Sequence, residues 1–325
     1  MAFDLKEYGV EPAGDDAVRP FAVENLDVRG RVVSLDPLLN AILDRHEYPE
    51  PVARLLGEAI VLTGLLGTSL KFQGRFTLQT QSDGPVSMLV VDFVSPDSIR
   101  ACATFDADRV ATQVAEGRTT PADMMGKGHL AMTIDQGAHM QRYQGLVELD
   151  GISFEEVARR YFERSEQIPT EVRLAVGEVF TPSSDDKPAR RWTAGGVLVQ
   201  FLPEAPERMR QADIHPGDAP DESHVHAIKE DDAWLEAKAL VETVKDDELT
   251  DPDLSVEHLL FRLFHERGVR LYDPQSIKDQ CRCSREKVET IVDGFSAEER
   301  QDMEVDGKLV VTCEFCSAKY EFDAA

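Results

Sequence analysis

The stretch PVARLLGEAIVLTGLLGTSLKFQGRFTLQTQSDGPVSMLVVDFV, Pro51 to Val94, changes period halfway along. In its first half Val52, Leu55, Leu56, Ala59 and Ile60 recur at helical spacing and predict one buried stripe on a helix from Pro51 to Lys71. Gly57, Gly64 and Gly67 weaken that helix but let it approach a sheet closely. From Phe72 the period becomes two: Phe76, Leu78 and Thr80 alternate with Arg75, Thr77, Gln79 and Gln81. Asp83-Gly84 then supplies a hairpin turn into Val86–Val94. Working outward, residues 19–35 hold two strand-like runs and Pro37 to Arg45 reads as a helix. Ile99–Phe105, His129–Ile134 and Arg142–Glu148 read as strands, Ser153–Arg164 as a helix and Thr170–Phe180 as a strand. Hairpins mixed with helices predict an α+β fold: an N-terminal mixed α/β domain with a largely antiparallel sheet.

Composition narrows the function. The chain has 325 residues, 42% hydrophobic and 30% charged, with a formal charge of −26. That suits a soluble globular protein of about two domains. So negative a surface repels phosphate backbones, and no run of Lys and Arg offsets it, so neither nucleic acid nor membrane is an expected partner. The N-terminus, MAFDLKEYGV, lacks the features of a secretory signal. The most apolar long run, Leu55 to Leu70, contains Glu58 and is too short for a span of about 20 residues. A cytoplasmic location follows, where reduced thiols more often serve as metal ligands or redox groups than as structural disulfides.

Composition then shifts. Residues 204–253 hold 16 acidic and 5 basic residues with Pro206, Pro216, Pro220 and Pro252, and the segment from Pro182 to Pro188 reads as a loop. Gly195–Val199 is a short apolar run between them. Two amphipathic helices are expected: one with Trp234, Ala237, Val241 and Val244 on a face, and one with Val256, Leu259, Leu260, Leu263 and Phe264 behind a Ser255 N-cap. Such a charged region should hold its helices only by tertiary packing.

The strongest chemical signal lies at the end. Cys281-Arg282-Cys283 is followed by 29 residues and then Cys313-Glu314-Phe315-Cys316. Two tight pairs can converge on one Zn²⁺ as four thiolates in the reduced state. Ser284 can cap a helix with Val288, Ile291, Val292 and Phe295 on one face, and Ser296 to Glu299 forms a capping box. Leu309–Thr312 and Ala318–Phe322 alternate like a hairpin, with Cys313 and Cys316 in its knuckle. The C-x-C pair departs from the usual C-x-x-C knuckle and sets two thiols close enough to bond to each other. Zinc-held thiolates remain nucleophiles toward oxidants, and a module folded by metal should unfold when its ligands are oxidised.

The chain resembles the redox-regulated holdase chaperones of the heat-shock protein 33 family. The residues that carry the likeness are Tyr272-Asp273-Pro274-Gln275 with Cys281 to Glu286, Tyr48 to Ala59, Phe76 to Gln81 with Asp83 to Ser87, Tyr161-Phe162 with Ser165 to Thr170, and Ala194-Gly195-Gly196 with Leu202-Pro203. The acidic stretch between Pro203 and Trp234 and a short tail depart from the family pattern. The resemblance implies an α/β chaperone domain over 1–181, a charged helical linker over 182–272 and a zinc-binding redox switch over 273–325. It implies metal ligands Cys281, Cys283, Cys313 and Cys316, and disulfides Cys281–Cys283 and Cys313–Cys316 on oxidation. One Zn²⁺ per reduced chain, unfolding client proteins and an oxidised homodimer complete the expectation.

Weaker signals read plainly. Cys102 alternates within a strand as a small core residue. His215, His224 and His226 lie in the acidic stretch, where a solvated loop is the simple account. Gly126-Lys127-Gly128 lacks the pattern of a phosphate loop, and no catalytic motif stands out, so an enzyme is not expected. Two rivals remain: an adaptor whose zinc ribbon is purely structural and binds a fixed partner, and an oxidoreductase using Cys313 and Cys316 as a dithiol.

Overall fold

The computed structural model describes residues 5, 9–69, 73–137, 142–181, 189–203, 230–302, 304–305 and 307–323. In order come β1 (Ala17–Val23), β2 (Val28–Leu35), α1 (Pro37–Leu43), α2 (Glu50–Gly67), β3 (Arg75–Ser82), β4 (Val86–Val94), β5 (Ser98–Phe105), α3 (Ala107–Ala115) and α4 (Pro121–Met125). Then follow β6 (Lys127–Asp135), β7 (Tyr143–Asp150), α5 (Phe154–Tyr161), β8 (Thr170–Thr181), β9 (Ala189–Phe201), α6 (Asp232–Glu242), α7 (Asp246–Leu249) and α8 (Val256–Phe264). The chain ends with β10 (Val269–Leu271), β11 (Gln275–Ser276), β12 (Lys278–Asp279), α9 (Arg285–Asp293), α10 (Ala297–Asp302), β13 (Glu304–Val305), β14 (Lys308–Thr312) and β15 (Lys319–Asp323).

Two large sheets and one small one result. The first runs β10-β1-β2-β9-β8 with β11 also on β1, the second β12-β5-β4-β3-β6-β7, and the third β13-β14-β15. Among the described residues all pairings are antiparallel except β12 on β5. The α+β class expected from the period change is the one observed, and β3 and β4 flank the Asp83-Gly84 turn in register from Arg75↔Val94 to Gln81↔Met88. Phe76, Leu78 and Thr80 are the buried row of β3, and the Thr80 hydroxyl earns its place there by accepting the Leu89 N–H at 2.9 Å.

Helix α2 sits between the two large sheets. Fifteen of its 18 residues are buried, so the expected single stripe is instead apolar contact nearly all round. The cause is sheet on both sides, which turns a surface pattern into a core pattern. A Cβ on Gly67 would stand 2.5 Å from Phe93 and one on Gly57 2.9 Å from Val176, so these glycines set the helix–sheet distance. Among the described residues, no helix is long and apolar enough to cross a membrane.

Strand β9 extends a segment read from sequence only as a short apolar run. It pairs with β2 from Phe201↔Val28 to Ala194↔Leu35 and with β8 from Gln200↔Thr170 to Ala189↔Thr181, and so joins the first sheet beyond residue 181, the limit expected for that domain. Its two faces meet different partners. A Cβ on Gly196 would stand 2.6 Å from Val61 of α2, and one on Gly195 would collide with the Leu249 carbonyl of α7.

Helices α6, α7 and α8 cover the outer face of the first sheet. Trp234, Ala237, Val241, Val244, Leu259, Leu260, Leu263 and Phe264 share a buried cluster with Phe21, Val28, Val32, Val197, Val199 and Phe201. Both expected helical faces are therefore buried, and the Asp231 and Ser255 side chains cap α6 and α8 by accepting the Ala233 and His258 N–H groups. One ion pair is buried beneath this cover. Arg19 Nε of β1 donates to Glu257 Oε1 of α8 at 3.0 Å, and Arg19 also donates to the carbonyls of Tyr272 and Glu11.

From the cover the chain becomes a strap along both large sheets. β10 and β11 lie on β1, Ile277 enters the main core, and β12 lies on β5. Residues 275–279, assigned from sequence to the C-terminal module, are thus bonded to the body.

Candidate metal centre

The terminal module has a core of only Val288, Val292, Leu309 and Phe322 among the described residues. Helix α9 begins where the Ser284 side chain accepts the Lys287 N–H, and Val288 and Val292, one turn apart, face the hairpin. Ile291, expected on that face, is 59% exposed, because a helix resting on a two-residue seam buries a narrow stripe. The Ser296–Glu299 capping box forms in both directions.

The hairpin β14–β15 pairs Leu309 with Phe322 and ends at Thr312↔Lys319. Beyond that pair, Cys313 N–H donates to Ala318 O at 2.9 Å and Ser317 N–H to Cys313 O at 2.8 Å, with Ser317 in the left-handed region at φ 57°. This tight knuckle turns Cys313 and Cys316 to one side. Cys281 and Cys283 arrive from the strap and meet them there.

The four sulfur atoms lie within 4.8 Å of one another. Cys281–Cys283 is 3.4 Å, Cys281–Cys313 3.7 Å and Cys283–Cys316 3.3 Å, and all four are free thiols. Four sulfurs about 2.3 Å from a tetrahedral zinc stand roughly 3.8 Å apart. The donor set fits zinc in number, element and spacing. The Tyr320 hydroxyl donates to Cys283 Sγ at 3.1 Å and so supports one ligand from outside the set.

The thiols are not equivalent. Burial pushes Cys281 up, but the Cys283 N–H and its interactions with the other three thiols outweigh it and bring Cys281 down to about 7. Cys316 is driven strongly upward by burial and by its hydrogen bonds to the other sulfurs, against the backbone contact at Ala318. One sulfur is thus ready to be a thiolate near neutral pH while the last holds its proton, and only a cation at the centre would let all four ionise.

The module docks on the body through groups that sequence spacing did not reveal. The Arg100 guanidinium lies 3.9 Å over the Phe315 ring while donating twice to Asp92 at 2.9 and 2.6 Å. Arg45 pairs with Asp279, and the Ser317 hydroxyl donates to Arg45 O at 3.1 Å. These contacts join residues far apart in the chain, so no local pattern announces them.

Cys102 is buried, as its strand position implied, and burial pushes its thiol up to about 12. It is not part of the four-sulfur cluster, but it lines with Cys313, His46 and Tyr48 a cavity of about 360 Å³ between body and knuckle. Lys127 starts β6, where its N–H donates to Asp83 Oδ1 at 2.7 Å. The three histidines of the acidic stretch lie outside the described residues.

Fold and centre together define a class: an α/β body with helices over one sheet and a docked four-thiol module at the end of the chain. The family model described as Hsp33 protein matches residues 16–323. A 33 kDa chaperonin of Caulobacter vibrioides is 45% identical over 312 residues, 95% of each chain. One of Pseudomonas fluorescens is 36% identical over 312 residues, 95% of this chain and 91% of that one. The solved structure of the 33 kDa chaperonin from Thermotoga maritima has the same fold, with a TM-score of 0.68 at 20% identity over 95% of both chains. The chain belongs to the Hsp33 family of chaperones.

Proposed function

We propose that this chain is an ATP-independent holdase that is closed when its four thiols hold zinc and opened by oxidation. The observation that carries the reading is the placement of the four-sulfur cluster. It sits in a module with four core side chains among the described residues, tied by the strap to helices that cover an apolar sheet face. We assign the ligands as Cys281, Cys283, Cys313 and Cys316, with one zinc per reduced chain. Bound there, the metal would cross-link strap and hairpin and supply folding free energy that the small core lacks.

The chain's own groups do the rest. Cys281, whose thiol is brought down to about 7, is a ready nucleophile toward the oxidant. Each disulfide forms as two thiols give up two electrons and two protons to one peroxide, which leaves as two waters. The pairs are Cys281–Cys283 and Cys313–Cys316. The folded distances across the pairs, 3.7 and 3.3 Å, bracket the 3.4 Å between Cys281 and Cys283, so this assignment rests on the family resemblance and on the tether, since loops of one and two residues close most readily once the module opens. Loss of the ligand set unfolds the module and loosens α6–α8, and the uncovered apolar faces take up unfolding proteins in the cytoplasm. The working parts are a body, a charged helical linker and a redox switch over 273–325, and the oxidised form associates as a homodimer.

Light scattering with a thermally unfolding client, on reduced and peroxide-treated chain side by side, tests the reading. Suppression only after oxidation is expected. Activity that is lost on oxidation would instead identify a zinc-ribbon adaptor. Peptide mapping of the oxidised chain should give the two neighbouring bridges and a free Cys102, and mainly crossed bridges would refute the pairing.

A further inference from the structure

The strap between cover and module is an extended segment seated on two sheet edges. It pairs antiparallel with β1 at Val269–Leu271 and at Gln275–Ser276, and parallel with β5 at Lys278–Asp279, seven residue pairs in all. Tyr272 N–H donates to Pro20 O at 3.0 Å, Ile277 N–H to Asp16 O at 2.7 Å, and Gln280 N–H to Ile99 O at 2.9 Å. Where the strap crosses from one sheet to the other, Ile277 fills the seam. It is 3% exposed, belongs to the main core and reaches within 3.4 Å of where a Cβ on Gly64 of α2 would stand. Val269 and Leu271 are only partly buried at the margin of the cover cluster.

So short a set of pairings has little stability of its own. It is held from both ends instead: by Arg19, which bridges Glu257 of α8 and the Tyr272 carbonyl, and by Arg45, which pairs with Asp279 two residues before Cys281. Release of the strap at both ends leaves two edges with unpaired main-chain groups and an empty aliphatic seat between them. Edges of that kind accept a further strand.

We infer that the strap is an internal stand-in for the client: after activation the seam between β1 and β5 binds an extended segment of an unfolding protein, with an aliphatic side chain in the Ile277 seat. This rests on the holdase reading above and names where and how that activity grips. Main-chain pairing tolerates many sequences, which suits a partner of no fixed identity, while the seat over Gly64 favours an aliphatic residue flanked by extended chain.

A fluorescent peptide with the sequence of residues 268–280, titrated into the reduced zinc-loaded and the oxidised full chain, is the test. The oxidised chain should bind it at least tenfold more tightly than the reduced one. The same peptide carrying Ile277→Asp should bind roughly tenfold or more weakly, the effect of losing one buried aliphatic side chain. Hydrogen exchange adds a second measure: β1 should lose amide protection on oxidation and regain it with the peptide or with an unfolded client. Indifference of the oxidised chain to the peptide, or equal binding of the Asp version, overturns the proposal. So does β1 protection that persists in an oxidised dimer and vanishes on dilution to monomer, because a second copy's strap then fills the seam. An oxidised chain that suppresses aggregation but ignores the peptide breaks this proposal alone. One that takes up the peptide but fails to suppress aggregation breaks the holdase reading alone.

Discussion

The body and the terminal module hold themselves together by different means. Among the described residues the main core of the body contains 42 buried side chains, and the core of the module contains four. Burial can order the first, because α2 offers apolar surface to two sheets at once. It cannot order the second, whose close contacts are instead among sulfur atoms. On the function proposed above, an oxidant that attacks thiols would remove the support of the module and leave that of the body in place.

Removal of the proposed zinc is the most severe way to break this contrast. With chelator and reductant, or in Cys283→Ser, the module should lose a stabilisation on the order of 10 kcal/mol. Amide protection over residues 281–323 should disappear while Val52–Gly67 stays protected. A module that keeps its protection without metal would erase the distinction.

The buried ion pair tests the region between. Glu257→Ala leaves Arg19 charged and unpaired beneath α8, at a cost of about 3–5 kcal/mol. Thermal melts should drop and Trp234 fluorescence should shift to the red without oxidant, with Glu257→Gln milder. An unchanged melt would show that the cover is held by its apolar face alone.

Proton linkage probes the body itself. Burial, then the nearby Glu155 and Asp246 carboxylates, push the Glu58 carboxyl up to about 8, against a small opposing effect of Arg54. Glu155 is raised as well, chiefly by burial. An acid whose folded value is raised binds more protons folded than unfolded, so stability falls as pH rises from about 4.5 to about 8. Melts of Glu58→Gln across that window should show a shallower decline than the natural chain, and parallel curves would count against the assignment.

The smallest effect concerns docking. Phe315→Ala removes the ring under Arg100, a contribution of about 0.5–2 kcal/mol. Zinc content should not change, but Cys102, now less covered by the knuckle, should react several-fold faster with an alkylating reagent. An unaltered rate would mean the knuckle does not gate that cavity.

What the sequence disclosed followed from local order. The change of period between α2 and β3, the caps at Ser255, Ser284 and Ser296, and the close cysteine pairs are each complete within a few residues. β9 stayed hidden because residues 192–199 are buried on both faces, so no alternation marks them. α3 was missed because only Val110 of its nine residues is buried. The strap has strands of two or three residues, too short for any period, and its meaning lies in partners more than 170 positions away. Arg19, Arg45 and Arg100 were unremarkable in sequence for the same reason.

The order of the elements along the chain has a consequence for synthesis. β9 completes the middle of the first sheet at residue 201, whereas the helices that cover that sheet end at residue 264 and the last thiol is residue 316. A ribosome releases the body with its outer face bare, then the cover, and only then the four-thiol module that the proposed function makes its fastening. On the function proposed above, every new copy passes through an uncovered form first, and its first encounter with other nascent proteins takes place before its own lock has been made.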